Sequence, residues 1–147
     1  MNWVYKSFKE LSTEELYAIL RLRAEVFIVE QNCPYQDLDY KDQKSYHLLG
    51  WEGDLLSAYT RILPAGVSFE EASIGRVVTS PQTRRGGYGR RLMLESIERL
   101  HSQYGKVPIR IGAQYYLKSF YVSLGFLQVS DIYLEDGIEH IEMLMSS

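Results

Sequence analysis

The residues best suited to chemistry lie between Ile74 and Arg91. The segment reads Ile74-Gly75-Arg76-Val77-Val78-Thr79, then Ser80-Pro81-Gln82-Thr83, then Arg84-Arg85-Gly86-Gly87-Tyr88-Gly89-Arg90-Arg91. Pro81 has no N–H and stops a strand's hydrogen-bond ladder. The glycines admit positive φ and let backbone approach a bulky ligand closely. A helix starting here presents unsatisfied N–H groups and a partial positive charge. Strand, glycine loop and helix start make a cradle for an anion such as pyrophosphate. Arg84 and Arg90 add charge to it.

That charge is local. The chain carries 16 Lys and Arg against 19 Asp and Glu, a net charge of −3, yet four arginines fall within residues 84–91. Such a balance argues against nucleic acid or a membrane as partner and for one small anionic ligand. A P-loop Gly-Lys-Ser/Thr and a strict Gly-x-Gly-x-x-Gly are both absent.

Other reactive side chains are sparse. Cys33 is the single cysteine, so no intrachain disulfide can form. Its Asn-Cys-Pro setting supplies no local base, and a structural role is expected. No His/Cys spacing suggests a metal site. No apolar run approaches the ~18 residues of a membrane helix, and residues 1–6 lack the layout of a signal peptide. A cytoplasmic protein is the expectation.

The elements that must position the loop follow from periodicity. The 147 residues suit one domain, and a hydrophobic share of 46% is ample for one core. Residues 3–8 read as an aromatic strand. Ser12 and Glu15 form a capping box for a helix to about Val29. Residues 30–42 are irregular around Pro34. Residues 46–51 and 55–63 read as a hairpin about Glu52-Gly53-Asp54. A loop spans 64–71, and a strand with Ile74, Val77 and Val78 ends at Pro81. A helix over 87–104 buries Leu92, Met93, Ile97 and Leu100 on one side and pairs Glu95 with Arg99 on the other. A strand follows from Val107, then a short helix over 115–124 closed by Gly125. Strands at 126–129 and 138–145 flank an Asp136-Gly137 turn. The order β α β β β α β α β β makes an α/β domain with a mixed sheet.

Two motifs now make a resemblance specific. Arg84-x-x-Gly87-x-Gly89, directly after a strand ending in Pro, resembles the acetyl-CoA-binding motif of the GNAT N-acetyltransferases. Downstream, Phe120-Tyr121-Val122-Ser123-Leu124-Gly125-Phe126 is similar to that family's Phe-Tyr-x-x-x-Gly-Phe signature. Near the N-terminus, Leu22-Arg23-Ala24-Glu25-Val26-Phe27 and Cys33-Pro34-Tyr35-Gln36-Asp37-Leu38-Asp39 resemble the ElaA-like subgroup, as does Ile74-Gly75-Arg76-Val77-Val78. There are departures. Arg85 stands where many members have glycine, and Gln114 where an Asn is frequent.

The resemblance implies an α+β fold with a mostly antiparallel sheet, flanked by helices, whose splayed strands hold acetyl-CoA. It implies transfer of the acetyl group directly to an amine, small or on a protein. Val77, Val78 and Thr79 would pair with the pantetheine arm. Residues Arg84, Arg85, Gly86, Gly87, Tyr88, Gly89 and Arg90 would hold the pyrophosphate, with Gln114 offering an amide. Tyr121 matches the family's general acid. The base stays open between Glu30, Asp39, His47, His140 and a water chain. Glu30, Asp37, Asp39 and Asp42 lie where family members build the acceptor side, so negative charge there would favour a cationic amine. A homodimer through edge strand 3–8 is compatible with the sequence. The competing readings are an acyl-CoA sensor without turnover and an interaction module that has kept only the fold.

Overall fold

In the computed structural model, which describes residues 1–146, the chain folds into two antiparallel sheets that touch at one point. The first is β1 (Asn2–Ser7), β2 (Tyr46–Glu52), β3 (Leu55–Leu63) and β4 (Ser73–Thr79), in that order. The second joins β5 (Ile109–Gln114) to β8 (Ile138–Met145), with β6 (Leu127–Gln128) and β7 (Tyr133–Glu135) on the far side of β8. Between the sheets there is a single parallel bridge, Ala72 to Ile109, where the Arg110 N–H donates to the Ala72 carbonyl at 3.0 Å. The Arg110 guanidinium clamps the same point by pairing with Glu71 and Glu142. Beyond the bridge β4 and β5 diverge.

The helices arise where the sequence pattern requires them. In α1 (Thr13–Arg23) the Ser12 Oγ accepts from the Glu15 N–H, and the Glu15 carboxylate accepts from the Ser12 N–H at 2.8 Å. The expected helical stretch to Val29 is present, but residues Ala24–Glu30 widen into a π-helical turn. The Gln31 N–H reaches the Val26 carbonyl, and Cys33 reaches Ile28. Such widening is frequent at functional sites. The short α3 (Lys118–Val122) follows a 3-10 turn and ends at Gly125, φ 105°. There the Phe126 N–H bonds Tyr121 and the Gly125 N–H bonds Val122, a Schellman closure. β7 is an element the sequence does not announce: three residues are too few to show alternation. Asp136 and Gly137 both have positive φ, a type I′ turn, so β8 turns back onto β7.

The core has two halves, one on each face of the first sheet. α2 (Tyr88–Tyr104) lays Leu92, Met93 and Leu100 against Leu48, Ala58 and Ile62. α1 and its extension lay Ile19, Leu22 and Val26 against Leu49, Tyr59 and Val78. With both faces covered, β3 is buried almost without a break.

On the α1 face the core is charged. Arg23 is fully buried, and Arg61 is 3% exposed. Arg23 donates to Asp42 at 2.8 Å and to Asp37 at 2.9 Å. Arg61 donates to Asp39 and Asp42. Arg76 donates to the Asp37 carboxylate at 2.8 Å and to its carbonyl at 2.9 Å. Arg76 is itself unusual, with φ 50° in the middle of β4. Tyr59 faces Val78 and Arg61 faces Gly75, so Arg76 and Val77 together oppose Thr60. This is a β-bulge, which bends and twists the strand that carries it. A non-glycine residue in the left-handed region costs on the order of 1–3 kcal/mol. The two fixed bonds to Asp37 hold it there. Behind the network His47 is fully buried; its Nε2–H donates to the Asp42 carbonyl and its Nδ1 accepts from the Tyr59 hydroxyl.

Burial alone would raise the Asp39 and Asp42 carboxyls. Hydrogen bonds and charge from the arginines prevail, holding Asp39 at about 2 and Asp42 below its ordinary value. Both folded values lie below the unfolded carboxyl value of roughly 3.9. Their contribution to stability is therefore complete above about pH 4 and is lost as pH falls toward 2. Thermal unfolding followed by circular dichroism should show this acid limb. Asp42→Ala removes the carboxylate shared by two buried guanidinium groups and leaves Arg23 with Asp37 and Arg61 with Asp39, a change that costs about 3 kcal/mol and should lower Tm by on the order of 10 °C. A drop of a degree or less would show that the network is not a stability element.

Candidate functional site

Where β4 and β5 part, a cavity of about 500 Å³ opens between them. One wall is β4 from Ile74 to Thr79, and the opposite wall is β5 from Ile111 to Gln114. Past Ala72 the edge of β4 that faces β5 has no strand partner among the described residues, where β4 pairs only with β3. Its main-chain donors and acceptors are thus available to an extended ligand. The π-helical turn closes one side with Val26, Phe27, Glu30 and Gln31. Tyr116, Phe120 and Tyr121 close another, and the β7–β8 hairpin contributes Glu135, Asp136 and His140.

The glycine loop stands at the mouth. Gly87 has φ 72° and caps α2, a conformation that other residues rarely adopt. A Cβ on Gly86 would meet the Tyr88 ring at 2.9 Å. A Cβ on Gly89 would lie 3.9 Å from Phe120, an ordinary contact, so this glycine keeps the helix start open without being sterically required. Arg84 faces the cavity, and its guanidinium forms a two-pronged pair with Glu30, one contact being 2.9 Å. The pair spans from the end of the π turn to the glycine loop. Arg90 instead donates to the Ser123 hydroxyl at 3.2 Å.

The expected site residues divide into three groups. Val77, Val78, Thr79, Arg84, Gly89, Gln114, Tyr121, Glu30 and His140 all line the cavity. Arg85, Gly86, Gly87, Tyr88 and Arg90 lie beside it on the loop and first turn of α2 rather than in its wall. Asp37 and Asp39 do neither. They are held by Arg23, Arg61 and Arg76 behind β4, so the expectation that they present free negative charge to an acceptor is corrected. His47, a candidate base in the sequence, is likewise occupied behind the sheet. Cys33 is buried against the hairpin, its S–H donating to the Asp136 carbonyl at 3.4 Å.

Tyr121 is 5% exposed and packs edge-on against Phe120 and Phe126. Burial, with Tyr116 nearby, pushes its phenol up to about 12. At neutral pH it is a protonated donor inside the cavity. Sequence reasoning missed Glu135 and Asp136. The available signal was the Asp-Gly turn itself, which brings residues before the turn beside His140.

The family model for the acetyltransferase (GNAT) domain matches residues 9–147. The chain belongs to the GNAT family. It is 44% identical over 145 residues to the ElaA protein of Escherichia coli strain K12, covering 97% of this chain and 95% of that protein. The crystal structure of E. coli ElaA superposes with a TM-score of 0.92 at 43% identity, covering 99% of each chain. An acyl-CoA N-acyltransferase from Pseudomonas aeruginosa superposes at 0.94 with 38% identity, covering 99% of this chain and all of that one. An aminoglycoside 6′-N-acetyltransferase solved with coenzyme A shares the fold at a TM-score of 0.70 and 14% identity, covering 96% and 95%.

The GNAT fold family uses acyl-CoA. If the glycine loop and Arg84 take the ligand's phosphates, as the sequence motif implies, the Glu30 carboxylate competes with them for Arg84. An exposed ion pair is worth up to roughly 1 kcal/mol. Glu30→Gln should therefore tighten coenzyme A binding by about two- to fivefold in calorimetry. Weaker binding would show that Glu30 supports the ligand directly.

Proposed function

We propose that the protein is an acetyl-CoA-dependent N-acetyltransferase that passes the acetyl group directly to an amine, and that it works in the cytoplasm. The observation that carries this reading is the open edge of β4 facing a cavity that also contains a buried, protonated Tyr121. A sensor needs the ligand cradle but has no use for a proton donor at the reacting end.

The residues suit an acyl-CoA ligand. The main chain of Val77, Val78 and Thr79 can pair with the amide-bearing pantetheine arm as a neighbouring strand would. Gly87, Gly89 and the first N–H groups of α2 suit the pyrophosphate, with Arg84 and Arg90 adding charge. The Gln114 amide, 3.4 Å from the Gln31 side chain, lies on the opposite wall. When bound, the thioester supplies an activated acyl carbon and a leaving thiolate. Main-chain N–H groups of β4 can polarise the carbonyl. The Tyr121 hydroxyl can protonate the sulfur. The same burial that holds its proton at neutral pH also makes a thiolate in this cavity a stronger base.

Two variants test the reading. Gly89→Glu places a carboxylate in the first turn of α2, where the helix dipole tolerates it and the Cβ has room. It should leave the fold intact and weaken coenzyme A binding by at least about 100-fold, as read by calorimetry. Unchanged affinity would remove the ligand from the glycine loop. Tyr121→Phe should bind coenzyme A within about threefold of the parent protein but lose about 10²–10⁴ in kcat with any amine that turns over. An unchanged kcat would remove Tyr121 from the acid role.

A further inference from the structure

We infer that the outer face of α1 and the π turn is an interface for a second copy of this chain, packed antiparallel about a two-fold axis midway between Arg21 and Glu25. The surface shares no residue with the cavity, and the proposal stands apart from the acetyltransferase reading.

One side of α1 is turned inward, where Ile19, Leu22 and Val26 are buried against the first sheet. The other side carries a shallow groove of about 560 Å³, lined by Tyr17, Leu20, Arg21, Ala24, Glu25 and Val29. Tyr17 is 74% exposed and Val29 75%. A surface helix ordinarily gives its outward face to polar side chains. In a plain α-helix each residue turns by about 100°, so residues 17 and 29 would point about 120° apart. The π turn over Ala24–Glu30 takes more residues per revolution and brings Val29 round to the face of Tyr17. The widened turn therefore has two faces. Val26, Phe27 and Glu30 lie on the cavity, and Ala24, Glu25 and Val29 lie on the groove.

The order of the stripe identifies its occupant. One turn apart, Tyr17, Arg21, Glu25 and Val29 read apolar, positive, negative, apolar. Turned end to end, the stripe reads apolar, negative, positive, apolar, which is its own complement. The two-fold sets Tyr17 on the partner's Val29 and Arg21 on the partner's Glu25, and each contact occurs twice. Ala24 is small and exposed beside the axis, so the two backbones can come close. The charges are available for this. Arg21 and Glu25 meet within the chain at 3.4 Å with the arginine 66% exposed, and neither has another ion-pair partner among the described residues. Arginine four residues before glutamate is the less favourable order in a helix, so the pair adds little to α1 itself. Between two copies each guanidinium gains a second carboxylate, and four charges form one network. Along β1, the open edge where the sequence allows a dimer, no large apolar side chain is exposed.

One helix against its copy is a small interface, at or below roughly 1,200 Å², so a micromolar dimer is expected. Sedimentation equilibrium of the full chain over about 1–500 µM reads it. Arg21→Glu and Glu25→Arg each bring like charges together and should weaken the dimer by about tenfold or more, with the circular-dichroism spectrum unchanged. Mixed in equal amounts, the two variants offer each other only opposite charges. A heterodimer should form, with an affinity within about threefold of the parent's. Mixing could not repair a defect inside one chain. Tyr17→Ser should also weaken the dimer, and Leu127→Asp on the second sheet should not. A monomer at every concentration, a dimer indifferent to both charge variants, or a mixture that stays monomeric would each overturn the proposal. A dimer lost with Leu127→Asp alone would overturn it too, by placing the contact on the second sheet.

Discussion

The site depends on β4 leaving β5 after a single bridging pair. A strand does not part from its neighbour without a cause. Here the cause is a bulge at Arg76 and Val77, in which a side-chain-bearing residue sits at φ 50°. The bulge is held from behind by the guanidinium of Arg76 on Asp37, which Arg23 also grips. At the other end Arg110 pins the two sheets together through Glu71 and Glu142. The opening is thus defined by two clamps, one that keeps the strands together and one that keeps them apart.

This explains why so much charge is buried in a small domain. Three arginines and three aspartates on the α1 face cancel one another, and a buried ion pair is seldom a net gain over apolar packing. Its value here lies in geometry. A hydrophobic residue at position 76 could fill the space but could not grip both a carboxylate and a main-chain carbonyl of the loop. The loop over residues 30–42 supplies the three aspartates that the arginines grip.

Most of the scaffold was legible in the sequence, for local reasons. The Ser12 capping box, the Gly125 closure and the Asp136-Gly137 turn each act over a few residues, and each forms as its sequence implies. The glycine loop was legible because glycine, arginine and a helix start converge within eight positions. Strand β7 was not, since its pairing is decided by β8 rather than by its own pattern. The acidic loop was misleading for a deeper reason. Composition shows four acids close together but not Arg23, Arg61 and Arg76, which reach the three aspartates from three other elements, nor Arg84, which takes Glu30. Charge in sequence is a count, whereas charge at a site is what remains after pairing, and pairing is a property of the fold.

The same distinction assigns the two ends of the cavity. On the proposed reading, an amine acceptor arrives as a cation and leaves as a neutral amide, which asks for unpaired negative charge at one end of the cavity and a retained proton at the other. The carboxylates beside the first helix are already spent, Glu30 on Arg84 and Asp37, Asp39 and Asp42 on Arg23, Arg61 and Arg76. The hairpin carboxylates Glu135 and Asp136 have no arginine partner among the described residues. At the opposite wall, burial among Phe120, Phe126 and the second sheet keeps the Tyr121 proton in place without any ionic partner. Proton affinity in this domain is therefore set by pairing behind the sheet and by desolvation at α3. Opening the strands at their bulge is what brings the hairpin and α3 to face the same cavity.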